Sequence, residues 1–160
     1  MSALALLNEK SPEAWLGNFL TILDAPSDFS YTSIKLARDD GRLNAHLQSL
    51  ADAATAEEPE QLLQPGYAEQ LRERDWNAWW RAQDALTRYA YATLSLAMLG
   101  DGARMPAAAA LYRQDVNARL QKDAHYVMCY LLGKEWPGYA VTETDLIRVE
   151  AGQAGPASEA

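Results

Sequence analysis

His125 and Cys129 are the residues of this sequence whose types and spacing could do chemistry. They lie four residues apart, so on a helix both would face one way, as a thiolate–imidazole pair or two metal ligands require. His46 would become a third ligand only through a tertiary contact. The stretch "HYVMCYLL" around them is also typical of a buried helix face. Two ligands do not make a metal site, so we expect no metal and keep His125 and Cys129 as candidates.

The carboxylates give no clear acid–base pair. We expect those that lie near one another in sequence to occupy helix caps or solvated positions: Asp39 and Asp40, Glu57 and Glu58, Asp115 and Asp123. The sequence has no glycine-rich phosphate loop, nucleophile elbow, HExxH or CxxC motif. We therefore expect a protein that is not an enzyme on its own and that needs no cofactor.

The amino-acid composition and the net charge restrict the classes of partner that this chain can bind. The chain has 160 residues, a net charge of −8 and a pI near 4.7, whereas nucleic-acid binding depends on clustered Lys and Arg. Its single cysteine excludes an internal disulfide and fits a reducing compartment. The N-terminus lacks a basic region, and its apolar run is too short for a signal or a membrane span. We expect a cytoplasmic protein that binds neither nucleic acid nor membrane.

The elements that would position these residues are helices. The sequence predicts an all-α, single-domain bundle of about five to six helices over residues 1–150, with a disordered tail at 151–160. A cap and an apolar stripe predict a first helix over 11–23. Residues 29–37 favour a helix only slightly over a strand, and 139–150 could form a capped helix or an extended segment.

Three further helices follow from periodicity and from glycine and proline stops. One spans "DDGRLNAHLQSLADAATAEE", residues 39–58, and ends before Pro59, after which "PEQLL" could form a short turn. The longest runs from Tyr67 to Leu99, with Gly100 as a left-handed cap. The last begins at Pro106 and ends at Gly133, with a break near Gln121.

The longest predicted helix carries "RDWNAWW" at residues 74–80. At 100° per residue, Trp76, Trp79 and Trp80 fall within about 100° of one another, and Arg72 and Gln83 lie on the same side. Roughly 220° of the helix surface is apolar, more than a surface helix needs, so we expect this helix to be central. The tryptophans are then either core with polar residues at the rim, or a partly exposed partner-binding surface.

Four pieces of the chain, in order, resemble a known family: "LNAHLQSL", "LRERDWNAWW", "YATLSLAMLGDG" and "PAAAALYRQDVNARL". They span residues 43–120 and are similar to the LigA-type small subunit of protocatechuate 4,5-dioxygenase and related extradiol ring-cleaving enzymes. The closest correspondence is the triplet Arg74, Asp75 and Trp76 at the head of a helix. The family commonly follows this triplet with a Gly-Gly-Asn turn, where this chain has "RAQDALTRYA".

The resemblance implies an all-helical, non-catalytic subunit that covers the active site of a larger, iron-holding subunit. It carries no metal ligand onto this chain. We accordingly expect an accessory subunit whose partner-binding residues are Arg72, Trp76, Trp79, Trp80 and Gln83, with homo-oligomers also compatible. The alternatives are an acidic immunity or adaptor protein that binds a basic partner, and a small enzyme that uses His125 with Cys129.

Overall fold

The computed structural model describes Ile34 and residues 41–153. The predicted helix over 11–23 lies outside these residues, as does the predicted tail of 151–160 from residue 154 onwards. The same holds for 29–37, except that Ile34 is helical and fully buried. The described residues form six α-helices and contain no strand, which confirms the predicted all-α fold. The helices are α1 (Gly41–Thr55), α2 (Tyr67–Arg74), α3 (Trp76–Met98), α4 (Met105–Arg113), α5 (Ala118–Leu132) and α6 (Glu143–Glu150).

Two short 3-10 helices join these elements, at Pro59–Leu63 and Gly102–Arg104. The first is the turn predicted for "PEQLL". Helix α3 lies at the centre, because α1, α2, α4, α5 and both 3-10 helices pack against it. Every residue from Tyr89 to Met98 is buried, so this half of α3 is covered on all sides. The prediction of a central helix is confirmed.

The predicted helix from Tyr67 to Leu99 is in fact two helices, α2 and α3, separated at Asp75. Asp75 adopts an extended backbone, with φ −152° and ψ 94°. Its N–H donates to the Leu71 carbonyl at 2.7 Å, and its carboxylate accepts from the Ala78 N–H at 3.0 Å. One residue thus ends α2 and caps α3, since a carboxylate satisfies a free N–H of the first turn.

The glycine stops are confirmed. Gly100 has φ +95° after α3, and Gly133 has φ +69° after α5. In both turns the glycine N–H and the next N–H donate back to helix carbonyls, as Asp101 does to Leu96 at 3.0 Å. Glycine adopts this left-handed geometry without steric cost, which explains why the helices end there.

The predicted break near Gln121 lies earlier, over the four residues between α4 and α5. The Gln114 side-chain carbonyl accepts from the N–H groups of Val116 and Asn117, at 3.0 and 2.8 Å. The Asn117 side chain then caps α5 by accepting from the Leu120 N–H at 3.1 Å. These local side-chain bonds compete with helix formation and decide the position of the break.

The sequence allows either a capped helix or an extended segment over residues 139–150. The structure shows a helix, α6, in the second part of this segment. Thr142 and Asp145 form a reciprocal capping box at its start. Arg113 at the end of α4 pairs with Glu143 at 2.6 Å and with Glu150 at 2.7 Å, and so holds both ends of α6. None of the described helices is long and apolar enough to cross a membrane.

Candidate functional site

The three tryptophans of "RDWNAWW" form one contiguous cluster on the first turns of α3. The ring centroids of Trp76 and Trp79 are 5.3 Å apart, those of Trp76 and Trp80 5.9 Å, and those of Trp79 and Trp80 5.0 Å. The two contacts of Trp80 are edge-to-face, the geometry that aromatic quadrupoles favour. The Asp75 cap fixes the start of the helix and therefore the positions of the rings.

The cluster lies at the surface. Trp76 and Trp80 each keep 54% of their accessible area, and Ile147 on α6 keeps 58%. These three are the exposed large hydrophobic residues among those described. Trp79 is half-buried and packs against the core. The sequence left open whether the tryptophans are core or exposed surface, and both alternatives occur. Trp79 packs at the edge of the core, whereas Trp76 and Trp80 face solvent.

The two polar residues predicted for this side lie beside the cluster. The Arg72 guanidinium stands 5.7 Å from the centroid of the Trp79 ring, within the range of a cation–π contact. Arg72 is exposed and forms no ion pair within the described part of the chain. Gln83 is half-buried one turn beyond Trp79. We call Arg72, Trp76, Trp79, Trp80 and Gln83 together the tryptophan surface.

A cavity of about 220 Å³ adjoins the tryptophan surface and opens to solvent. It lies between α2, α3 and the start of α5, and its lining combines apolar and polar side chains: Leu62, Ala68, Glu69, Arg72, Trp79, Gln83, Leu86, Val116 and Asn117. Glu69 and Asn117 were not among the predicted site residues. Glu69 lies one turn before Arg72 on α2, so helical spacing could have indicated it. Asn117, the cap residue of α5, comes from a distant part of the chain that no local pattern joins to Arg72.

A second depression, of about 290 Å³, lies between α1 and α3. Its floor is made of small or aliphatic residues, and its rim is charged: Leu50, Ala53, Ala54, Glu57, Arg81, Asp84, Ala85 and Arg88. Arg88 and Asp84 pair with each other at 2.9 Å. The close approach of α1 on this side fits the alanines that the sequence places there.

His125 and Cys129 do face the same way, as their spacing predicts, but they face a backbone carbonyl. His125 Nε2 lies 2.6 Å from the Tyr139 carbonyl oxygen, and Cys129 Sγ lies 4.0 Å from it. Burial raises the pKa of the Cys129 thiol, which disfavours the thiolate. Both side chains thus hold the segment after α5 against that helix.

No group of three His, Cys, Asp or Glu side chains in the described residues is arranged to hold a metal ion. Among the carboxylates expected in caps or solvent, Glu57, Glu58 and Asp115 are exposed. Asp123 is 6% exposed, so the prediction of a solvated position was wrong there. The helical repeat places Asp123 on the side of α5 that includes Leu120 and Val127, which faces the core.

Other polar contacts serve the fold. Gln48 on α1 donates to Asp101 at 2.6 Å, and Arg104 donates to Gln48 at 2.8 Å and to Asp52 at 3.0 Å. Tyr89 donates to Glu60 at 2.5 Å; burial, and then this bond, raise its pKa above the ordinary range of tyrosine. The first three bonds join α1 to the turn and the 3-10 helix that follow α3, and the last joins the first 3-10 helix to the start of the buried half of α3.

Comparison with known proteins assigns no class to this site. No family model matches the chain, and no match was found among curated proteins or solved structures. The resemblance to the LigA-type small subunit stays a prediction from the sequence.

Proposed function

We propose that this protein is a non-catalytic helical subunit that binds a larger protein through the tryptophan surface. The observation that supports this most is the exposure of Trp76 and Trp80, 54% each, in direct contact with one another. An exposed indole loses the free energy that burial would give, roughly 25 cal/mol per Å² of apolar area. Two such side chains together are typical of an interface that a partner completes.

The surroundings of the two indoles fit a binding site. Tryptophan and arginine are enriched among the residues that dominate binding free energy, and Arg72 lies over the half-buried Trp79 at the edge of the cluster. Trp79 packs against the core and contacts the other two rings, which limits the rotamers open to them before binding. Ordered side chains lose less entropy on association, which favours affinity.

The resemblance to the LigA-type small subunit suggests what the partner does. We propose that it is a larger, iron-holding ring-cleaving subunit whose active site this chain covers. In this assignment the chain supplies contact surface and exclusion of water, and the larger subunit supplies the chemistry.

The test is recovery of a partner with a tagged full-length chain from its native host. We expect a larger protein in near-stoichiometric amount with the wild type and at least about tenfold less with a Trp76→Ala/Trp80→Ala variant, because hot-spot losses exceed about 2 kcal/mol. Ile147→Ala, which removes an equally exposed apolar side chain on α6, is the matched control. Equal recovery with all three proteins would exclude the tryptophan surface as the binding site.

The ring-cleaving assignment needs its own assay. We expect oxygen consumption with a catechol-type substrate when the chain and the recovered partner are mixed, and little from either alone. A partner without iron, or one whose activity is unchanged by this chain, would contradict the lid role while leaving the interaction itself intact.

A second candidate is an acidic adaptor or immunity protein that masks a basic partner. The net charge of −8 favours it, as do Glu57 and Glu58, which are exposed and in no ion pair within the described residues. Salt distinguishes the two candidates, because screening weakens charge-led binding between about 0.05 and 0.5 M salt and hardly affects indole burial. A large loss of affinity across that range would favour the adaptor.

A further inference from the structure

We infer that the cavity beside the tryptophan surface receives one tyrosine side chain of the partner protein. This inference rests on the proposed function and names the chemistry of the residue that the partner presents.

The volume of the cavity fits a single amino-acid side chain and not a larger ligand. The cavity measures about 220 Å³ and opens to solvent, whereas pockets for drug-sized ligands measure roughly 300–1,000 Å³. Its apolar walls include Leu62, Leu86, Val116 and Trp79. Small polar side chains such as serine would leave these walls uncovered, so a large and largely apolar side chain fits best.

The polar lining selects against a charged side chain. Glu69 and Arg72 lie one turn apart on α2, and both line the cavity. A carboxylate entering beside Arg72 would meet Glu69, and a cationic group entering beside Glu69 would meet Arg72. Like charges at short range oppose binding, so the lining favours a neutral group that can both donate and accept.

Tyrosine combines these properties. Its ring can pack against Trp79 and the leucines, and its hydroxyl can donate to the Glu69 carboxylate while it accepts from the Arg72 guanidinium. Phenylalanine offers neither bond, and the tryptophan N–H can only donate. Gln83 and Asn117 add amide groups to the same lining.

The direct test titrates the full ¹⁵N-labelled chain with acetyl-Gly-Tyr-Gly-amide and, separately, with acetyl-Gly-Phe-Gly-amide. We expect the tyrosine peptide to shift the indole N–H signal of Trp79 in a saturable way. The phenylalanine peptide should bind about tenfold more weakly, because it lacks the hydroxyl that bonds to two charged groups. Equal binding of the two peptides, or no shift at Trp79, would overturn the inference.

Two alanines give a matched pair of variants. Ala68→Leu places a larger side chain in this cavity, whereas Ala53→Leu does the same in the depression between α1 and α3. We expect Ala68→Leu to abolish the shift caused by the tyrosine peptide and Ala53→Leu to leave it unchanged. An unchanged titration in Ala68→Leu would place the peptide elsewhere and overturn the inference.

The same variants separate this inference from the proposed function. If Ala68→Leu retains the partner while Trp76→Ala/Trp80→Ala loses it, the tryptophan surface binds the partner and the tyrosine site is wrong. If the double tryptophan variant also retains the partner, the proposed function itself is wrong.

Discussion

His125 and Cys129 show what residue spacing can predict and where it stops. The four-residue spacing correctly predicts that both side chains point the same way. Both side chains contact the Tyr139 carbonyl, fourteen residues after His125 and ten after Cys129, and no local pattern marks that contact. The sequence alone therefore left open a thiolate–imidazole pair, whereas the geometry shows two side chains directed at a backbone carbonyl.

Cys129 should react slowly with alkylating reagents. Burial raises its pKa, so at neutral pH the protonated thiol predominates, and the side chain is also inaccessible. We expect iodoacetamide to label the native chain far more slowly than the urea-unfolded chain, as measured by mass spectrometry. Comparable rates in the two states would revive the hypothesis of a small enzyme.

The Asp145 carboxylate should make the free energy of unfolding depend on pH in the acidic range. The Tyr139 hydroxyl, which donates to Asp145 at 2.6 Å, and the Thr142 N–H hold the pKa of Asp145 below its ordinary value. The resulting stabilisation is present above the unfolded-state pKa of about 3.9 and is lost as pH falls through the folded-state pKa. Asp145→Asn should therefore lose less stability than the wild type when urea unfolding is compared at neutral pH and near pH 3.

Asp115→Asn is the control for Asp145→Asn, because it removes the same charge from an exposed position between α4 and α5. We expect its pH dependence to match the wild type. If Asp145→Asn also matches the wild type, the carboxylate does not stabilise the folded state in the way its contacts indicate.

At the scale of elements, the sequence predicted where helices end at glycines but not where side chains interrupt them. Gly100 and Gly133 are strong signals because few other residues adopt a positive φ. Periodicity missed the break at Asp75 because the apolar spacing continues from α2 into α3, although the family resemblance places Arg74, Asp75 and Trp76 at the head of a helix. The geometry of the Asp75 cap shows that there are two helices.

Asp75→Ala should weaken the start of α3. The substitution removes the bond from the Ala78 N–H to the carboxylate and should cost about 1 kcal/mol of unfolding free energy. Asp75→Asn keeps an accepting oxygen and should cost clearly less. Urea unfolding measures both; an equal loss in the two variants would mean that the cap does not set the boundary.

At the scale of the molecule, α3 is covered at one end and open at the other. The sequence predicted a central helix from its wide apolar circumference, and from Tyr89 to Met98 that prediction holds. It could not tell that the tryptophan end lies at the surface, because periodicity gives the side of a helix and not how far its neighbours extend. The packing of α1, α2 and α5 against α3 determines which part of α3 is covered.

Substitutions at the two ends of α3 should therefore differ in cost. Leu94 is fully buried, and Leu94→Ala should lower the unfolding free energy by about 2–5 kcal/mol. Trp80→Ala removes a larger but 54% exposed side chain, and we expect a loss below about 1.5 kcal/mol, mainly from its ring contacts. Similar losses at both positions in urea unfolding would place Trp80 in the core.

Tryptophan fluorescence measures directly whether the tryptophan surface is exposed in the isolated chain. Replacing Trp15 and Trp136 by phenylalanine leaves fluorescence from Trp76, Trp79 and Trp80 alone. We expect the emission of the isolated chain to be red-shifted and readily quenched by acrylamide, and the recovered partner to shift it to the blue and protect it. A blue-shifted emission that resists acrylamide in the isolated monomer would show that the chain covers its own tryptophans and that they are not free to bind a partner.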